Sequence, residues 1–101
     1  MDTINQAAIE STESTYWIDQ AQALERLYRN ADFKEVIVKG YFEKKAVDGV
    51  SLLANDQIKR SGTRTDLMES LIAISSLKDH FNTIENLGAI SVSDIEEEIE
   101  A

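Results

Sequence analysis

Three cations in a short polar run are the residues best suited to ligand binding. Lys59, Arg60 and Arg64 flank the tripeptide Ser-Gly-Thr, just before a segment expected to begin a long helix. Free backbone N–H groups and the dipole at a helix N-terminus favour an anion, so phosphate or an acidic partner could contact these cations. The run lacks the spacing of a Walker loop, and three cations in a polar turn are more often simply solvated.

Residues for acid–base or metal chemistry are sparse. His80 is the one histidine, and no carboxylate lies one helical turn away to orient it as a general base. The carboxylates of Asp56, Asp66 and Glu69 do not have the spacing of an EF-hand loop. The absence of cysteine excludes disulfides, thiolate metal sites and thiol nucleophiles. We therefore predict no catalytic residue, no cofactor site, no metal site and no enzymatic activity.

Two adjacent aromatic residues are candidates for a protein interface. Tyr41 and Phe42 would point about 100° apart on an α-helix, so they cannot both face the same neighbour. One of them is then available as an interface anchor.

Composition and charge predict one small domain with acidic ends. The chain has 101 residues, 43% hydrophobic and 29% charged, which suits a single soluble domain. No apolar stretch approaches the ~20 residues of a membrane span, and no signal peptide is evident, so we expect an intracellular protein. The formal charge of −9 divides into −3 for a flexible segment at 1–13, −1 for a helical domain at 14–90 and −5 for a tail at 91–101. Such ends disfavour contact with nucleic acid or anionic membranes.

Apolar periodicity predicts three helices that position these residues. The first, at about 15–30, carries one stripe, and the third, at about 66–87, carries the longest stripe in the chain. Thr65 would cap the third helix and Gly88 would end it, while residues 55–65 read as a loop. The two stripes consist of Trp17, Ala21, Leu24 and Tyr28, and of Leu67, Leu71, Ile74, Leu77, Phe81 and Ile84.

The segment at about 32–55 is ambiguous. Residues 36–42 are rich in β-branched and aromatic side chains that suit a strand, and Gly40 weakens a helix. However, apolar residues recur at helical spacing from Phe33 to Leu53, and no other β-rich run could pair with a strand. We predict a helix, capped by Asp32, with a bend or break near Gly40. The expected fold is all-α: an antiparallel hairpin of 32–55 and 66–87, with the first helix packed across it.

Several runs of the sequence between about residues 20 and 84 together have a recognisable pattern. The runs are Ala23–Leu27, Asn30–Ile37, Gly40–Phe42, Ala46, Arg64 with Asp66, Leu71–Leu77 and Phe81. They resemble a family of small helical proteins encoded by tailed bacteriophages. The resemblance implies a place among virion and assembly genes, without an assigned activity and without binding residues to transfer. It also implies a location in the infected bacterial cytoplasm, in the virion or in both.

The sequence therefore favours recognition over catalysis. The first hypothesis is a virion-associated or assembly accessory protein that docks an apolar helix face onto other phage subunits or onto itself. The alternative is a phage-encoded inhibitor that binds a basic site of a host protein through its acidic tail.

Overall fold

A computed structural model describes the backbone of residues 2–100 and the side chains of residues 12–99. All regular structure within these residues is helical, which confirms the all-α prediction and resolves 36–42 as helix. The elements are α1 (Asp2–Arg29), α2 (Ala31–Phe33), a π-helix (Lys34–Lys44), α3 (Lys45–Leu53), α4 (Asp56–Ser61) and α5 (Arg64–Glu100).

The described residues form two compact units. The terminal unit contains the chain up to Leu27 and from Phe81 onward, and the central unit is Tyr28–His80. The terminal unit therefore pairs α1 with the second part of α5, a partner that the sequence analysis does not predict for the first helix. The limits of both helices also differ from the prediction: α1 begins at Asp2 instead of about 15, and α5 continues through the expected acidic tail to Glu100.

The central unit contains the predicted hairpin. Its run from α2 to α3 packs against the first part of α5, with Phe42 and Ile74 buried between them. The helices approach closely at Gly49, where an added Cβ atom would lie 2.7 Å from Cδ2 of Leu71. The stripe predicted on the third helix is confirmed here, because Leu67, Leu71 and Ile74 are all half-buried or buried.

The π-helix changes the direction of successive side chains at residues 41 and 42. The backbone N–H of Lys45 donates to the carbonyl oxygen of Gly40, five residues earlier, which is the wide ring of this helix type. More residues then share each turn, so successive side chains differ less in direction than in an α-helix. Phe42 is buried and Tyr41 is half-buried, and the expectation that one of them is available as an interface anchor stays a prediction.

In the terminal unit, small residues let α1 and α5 approach closely. A Cβ atom on Gly88 would lie 2.5 Å from Cβ of Ala21 and 3.3 Å from the carbonyl oxygen of Trp17. Ser91, one turn further along α5, is buried, as are Leu24 and Ile84. The prediction that Gly88 ends the third helix is therefore wrong: its lack of a side chain serves helix packing, and packing carries the helix onward.

The helix ends that the structure shows rely on asparagine and glycine. The Oδ1 atom of Asn30 accepts from the N–H of Phe33 at 2.9 Å, so Asn30 caps α2 in place of the predicted Asp32. The Oδ1 atom of Asn55 accepts from the N–H groups of residues 57 and 58 and starts α4 inside the predicted loop. Gly62 ends α4 with φ +75°, in the left-handed region. Thr65 does not cap α5, which already begins at Arg64.

Candidate protein-interaction surfaces

The three cations predicted to contact an anion have different surroundings in the structure. Lys59 and Arg60 are exposed in the last turn of α4, where cations complement the negative end of the helix dipole. Arg64 is half-buried and turned inward: its Nη2 donates to the carbonyl oxygen of Leu53 at 2.8 Å, near the end of α3. Arg64 thus satisfies a free helix-terminal carbonyl. Arg64 is therefore engaged within the fold, whereas an anion contact of Lys59 and Arg60 stays a prediction.

The two aromatic residues predicted as interface anchors have different roles. Phe42 is 8% exposed and belongs to the core of the central unit. Tyr41 is half-buried, with its ring 5.9 Å from that of Phe42 and the Nζ of Lys45 5.5 Å from its ring centroid. Only Tyr41 keeps surface for a partner, and the Lys45 ammonium already lies over its ring.

The candidates for acid–base and metal chemistry are His80 and the acidic side chains. His80 lies on the exposed surface of α5. Within residues 12–99, no group of three or more His, Asp or Glu side chains lies together in a way that could hold a metal ion. None of the described helices is long and apolar enough to cross a membrane.

An apolar face of the central unit is exposed on one side of the hairpin. In the hairpin, each helix has a row of residues that faces the other helix. Helical spacing places two valines of α3 and two residues of α5 roughly a quarter to a third of a turn around their helices from these rows. The antiparallel pairing fixed by Gly49 and Leu71 puts both pairs on the same side and at similar levels. We call this surface the central apolar face, and its residues with their exposed fractions are Val47 (65%), Val50 (59%), Met68 (50%) and Ile72 (54%).

The opposite side of the hairpin has a groove of about 380 Å³, the central groove. Its walls include Leu52, Leu71 and Ile74. At its rim, Lys44 Nζ lies 2.8 Å from Asp48 Oδ2 one turn away on the same helical run. The hydrogen bond and the charge of Asp48 raise the pKa of Lys44 above its ordinary value of 10.5. This ion pair is open to solvent, so it adds little to stability.

A second groove, of about 550 Å³, lies between α1 and α5 in the terminal unit. Its apolar wall includes the half-buried Trp17 and the exposed Ile90. Carboxylates supply all the charged groups that line it. We call it the acidic groove, and it is lined by Glu13, Ser14, Trp17, Leu87, Ile90, Ser91, Asp94, Ile95, Glu97 and Glu98.

The two units differ sharply in charge. The sequence of the terminal unit has eleven carboxylates and one cation, Arg26, for a formal charge of −10. The central unit has eight carboxylates and nine cations, for +1. The sequence analysis assigns −1 to a domain at 14–90 and the remaining charge to the ends, whereas the two units divide the charge into −10 and +1.

The sequence predicts an exposed apolar helix face without identifying its residues, and it misses the acidic groove. The central apolar face has a local signal, since Val47 and Val50 are three residues apart and Met68 and Ile72 are four apart, beside the main stripes. The acidic groove has none, because it requires the pairing of α1 with α5. Comparisons of the chain with protein-family models, with curated proteins and with solved structures find no match.

Proposed function

We propose that the protein is a non-enzymatic helical interaction protein that docks through the central apolar face. The observation that carries this proposal is the exposure of four large apolar side chains on one side of a well-packed hairpin. Single exposed apolar residues are ordinary on proteins, but a contiguous group of this kind is typical of interaction sites.

The energetics fit a docking role. Burying apolar surface contributes about 25 cal/mol per Å², from which the cost of association must be subtracted. The central unit has a formal charge of only +1, so little electrostatic free energy opposes the approach of another protein.

The setting that we propose is the assembly or the virion of a tailed phage, with the protein in the infected bacterial cytoplasm, in the particle or in both. Support for this setting is the sequence resemblance over residues 20–84, which includes the whole central unit. The partners would be other structural subunits or a second copy of the chain.

A matched pair of valines tests the docking surface. Val47 and Val36 are both 65% exposed, but only Val47 belongs to the central apolar face. Light scattering after size-exclusion chromatography, in enough salt to screen the net charge, should show a discrete oligomer for the wild type and for Val36→Glu. Val47→Glu should be monomeric with unchanged helical circular dichroism. Equal association of the two variants would count against the face, and a monomeric wild type would rule out a second copy as its occupant.

A second candidate function is binding to a basic site of another protein through acidic residues 91–100. The observation that favours it is the charge of −10 on the terminal unit. This function predicts affinity that falls steeply with salt and is lost when 91–101 is deleted, whereas docking through the central apolar face should survive both changes.

A further inference from the structure

The acidic groove combines an apolar wall with a rim of carboxylates. Its wall presents Trp17, Ile90 and Ile95 to solvent in a concave shape between two helices. Its rim carries Glu13, Asp94, Glu97 and Glu98, without a lysine or arginine among its lining residues. An occupant must therefore supply both apolar side chains and positive charge.

The end of α5 is electrostatically unfavourable without such an occupant. Asp94 lies three and four residues before Glu97 and Glu98, so these like charges are neighbours on the helix surface. The same carboxylates approach the negative end of the helix dipole, where cations are preferred, and α5 has no basic residue in its last turn. A cationic partner would relieve both repulsions at once.

We infer that the acidic groove binds a basic amphipathic helix of another protein. Apolar side chains on one face of that helix would contact Trp17 and Ile90, and its lysine or arginine side chains would reach the rim carboxylates. A second copy of the terminal unit, nucleic acid and anionic membranes are all repelled by the charge of −10. The inference rests on the second candidate function, for which it names the site and the partner's chemistry, and it does not depend on the central apolar face.

Trp17 is the one tryptophan of the chain, so its fluorescence reports directly on the groove. The probe is a synthetic helical peptide of leucine and lysine at amphipathic spacing. Two further peptides serve as comparisons: one of the same composition in scrambled order, and oligolysine of the same charge. At low salt the amphipathic peptide should shift Trp17 emission to shorter wavelength in a saturable way. It should also bind at least about tenfold more tightly than the other two peptides.

Two pairs of variants separate the groove from net charge. The triple variant Asp94→Asn, Glu97→Gln, Glu98→Gln should weaken binding at least about tenfold. The triple variant Asp19→Asn, Glu85→Gln, Glu96→Gln removes equal charge from exposed positions outside the acidic groove and should weaken binding much less.

The apolar wall is tested by Ile90→Ser against Val92→Ser, since Val92 is exposed on α5 but faces another part of the terminal unit. Only Ile90→Ser should weaken binding of the amphipathic peptide. If both variants of each matched pair lose the same affinity, or if oligolysine binds as tightly as the amphipathic peptide, the acidic groove is not the binding site. The second candidate function would still stand. No binding of any cationic peptide at low salt would overturn both.

Discussion

Each of the two units brings two helices together at a glycine, but the atoms that face the glycine differ between the units. In the terminal unit, Gly88 lies against Cβ of Ala21 and the backbone of Trp17, which cannot move without moving α1. In the central unit, Gly49 lies against the end of the Leu71 side chain, which can rotate away. The same residue type therefore has a strict packing role in one unit and a lenient one in the other.

The surfaces of the two units differ in the same systematic way. Both units expose apolar side chains, but the central unit nearly balances its charges, whereas the terminal unit concentrates carboxylates around a groove. Burial of apolar area is insensitive to salt, while attraction between charges is screened by it. The two proposed kinds of recognition should therefore respond differently to ionic strength.

The largest expected effect is the loss of Phe42, the buried aromatic residue of the central unit. Phe42→Ala should lower the free energy of unfolding by about 3 kcal/mol, because it removes apolar contacts and leaves a cavity. Tyr41→Ala should cost clearly less, since Tyr41 is only half-buried. Urea denaturation followed by circular dichroism measures both, and equal losses would show that the difference in burial does not set the contributions of the two residues.

The comparison of the two glycines is tested by Gly88→Ala and Gly49→Ala. The added methyl group at Gly88 should destabilise by about 1–2 kcal/mol, since overpacking against a rigid neighbour outweighs the roughly 1 kcal/mol that alanine gains in a helix. At Gly49, rotation of Leu71 should leave the change near zero or slightly stabilising. Urea midpoints at constant slope provide the measurement, and equal effects would refute the distinction between rigid and flexible neighbours.

Salt should stabilise the terminal unit selectively. Each like-charge pair along the end of α5 costs roughly 0.2–0.5 kcal/mol at low ionic strength. Adding sodium chloride should therefore slow amide hydrogen exchange in residues 84–98 and change it little in residues 40–53 of the central unit. A uniform response across both units would indicate that the charge division has no local consequence.

The smallest effect concerns the exposed ion pair of Lys44 and Asp48. Because the pKa of Lys44 is raised, the stabilisation is fully present below pH 10.5 and is lost as the pH rises through the raised pKa. The thermal unfolding temperature of Asp48→Asn should be slightly lower than that of the wild type, and this difference should shrink in strongly alkaline buffer. Glu35→Gln is the control, because the exposed Glu35 carboxylate lies 3.8 Å from the Lys39 ammonium, farther than the 2.8 Å between Lys44 and Asp48. A difference in unfolding temperature that does not depend on pH would contradict a stabilising ion pair between Lys44 and Asp48.

The sequence predicts local features of this fold well and its long-range pairing poorly. The stripe from Leu67 to Ile84 predicts the buried face of α5 because helical periodicity is local. Gly88 misleads because a glycine after an apolar stripe resembles a helix end, and only the contact with Ala21, 67 positions away in the chain, reveals its packing role. The same holds for Arg64, whose charge suggests a ligand until the carbonyl of Leu53 is seen beside it.

The candidate surfaces follow the same rule. The prediction that one of Tyr41 and Phe42 is an interface anchor assumes α-helical directions for their side chains, whereas both residues lie in the π-helix. The central apolar face and the acidic groove each need two helices to be paired before their residues become neighbours. A single sequence provides the helices but not the pairing that turns them into surfaces.

The wide rings of the π-helix also bear on how the chain can change its length. A stretch with extra residues in each turn can give up one of them and tighten part of its length into ordinary α-helical rings, with the neighbouring faces kept in phase. The same deletion within Lys45–Leu53 would rotate every later side chain of that helix by about 100° and turn Gly49 away from Leu71. Natural length variation in this hairpin is therefore expected to collect between Lys34 and Lys44.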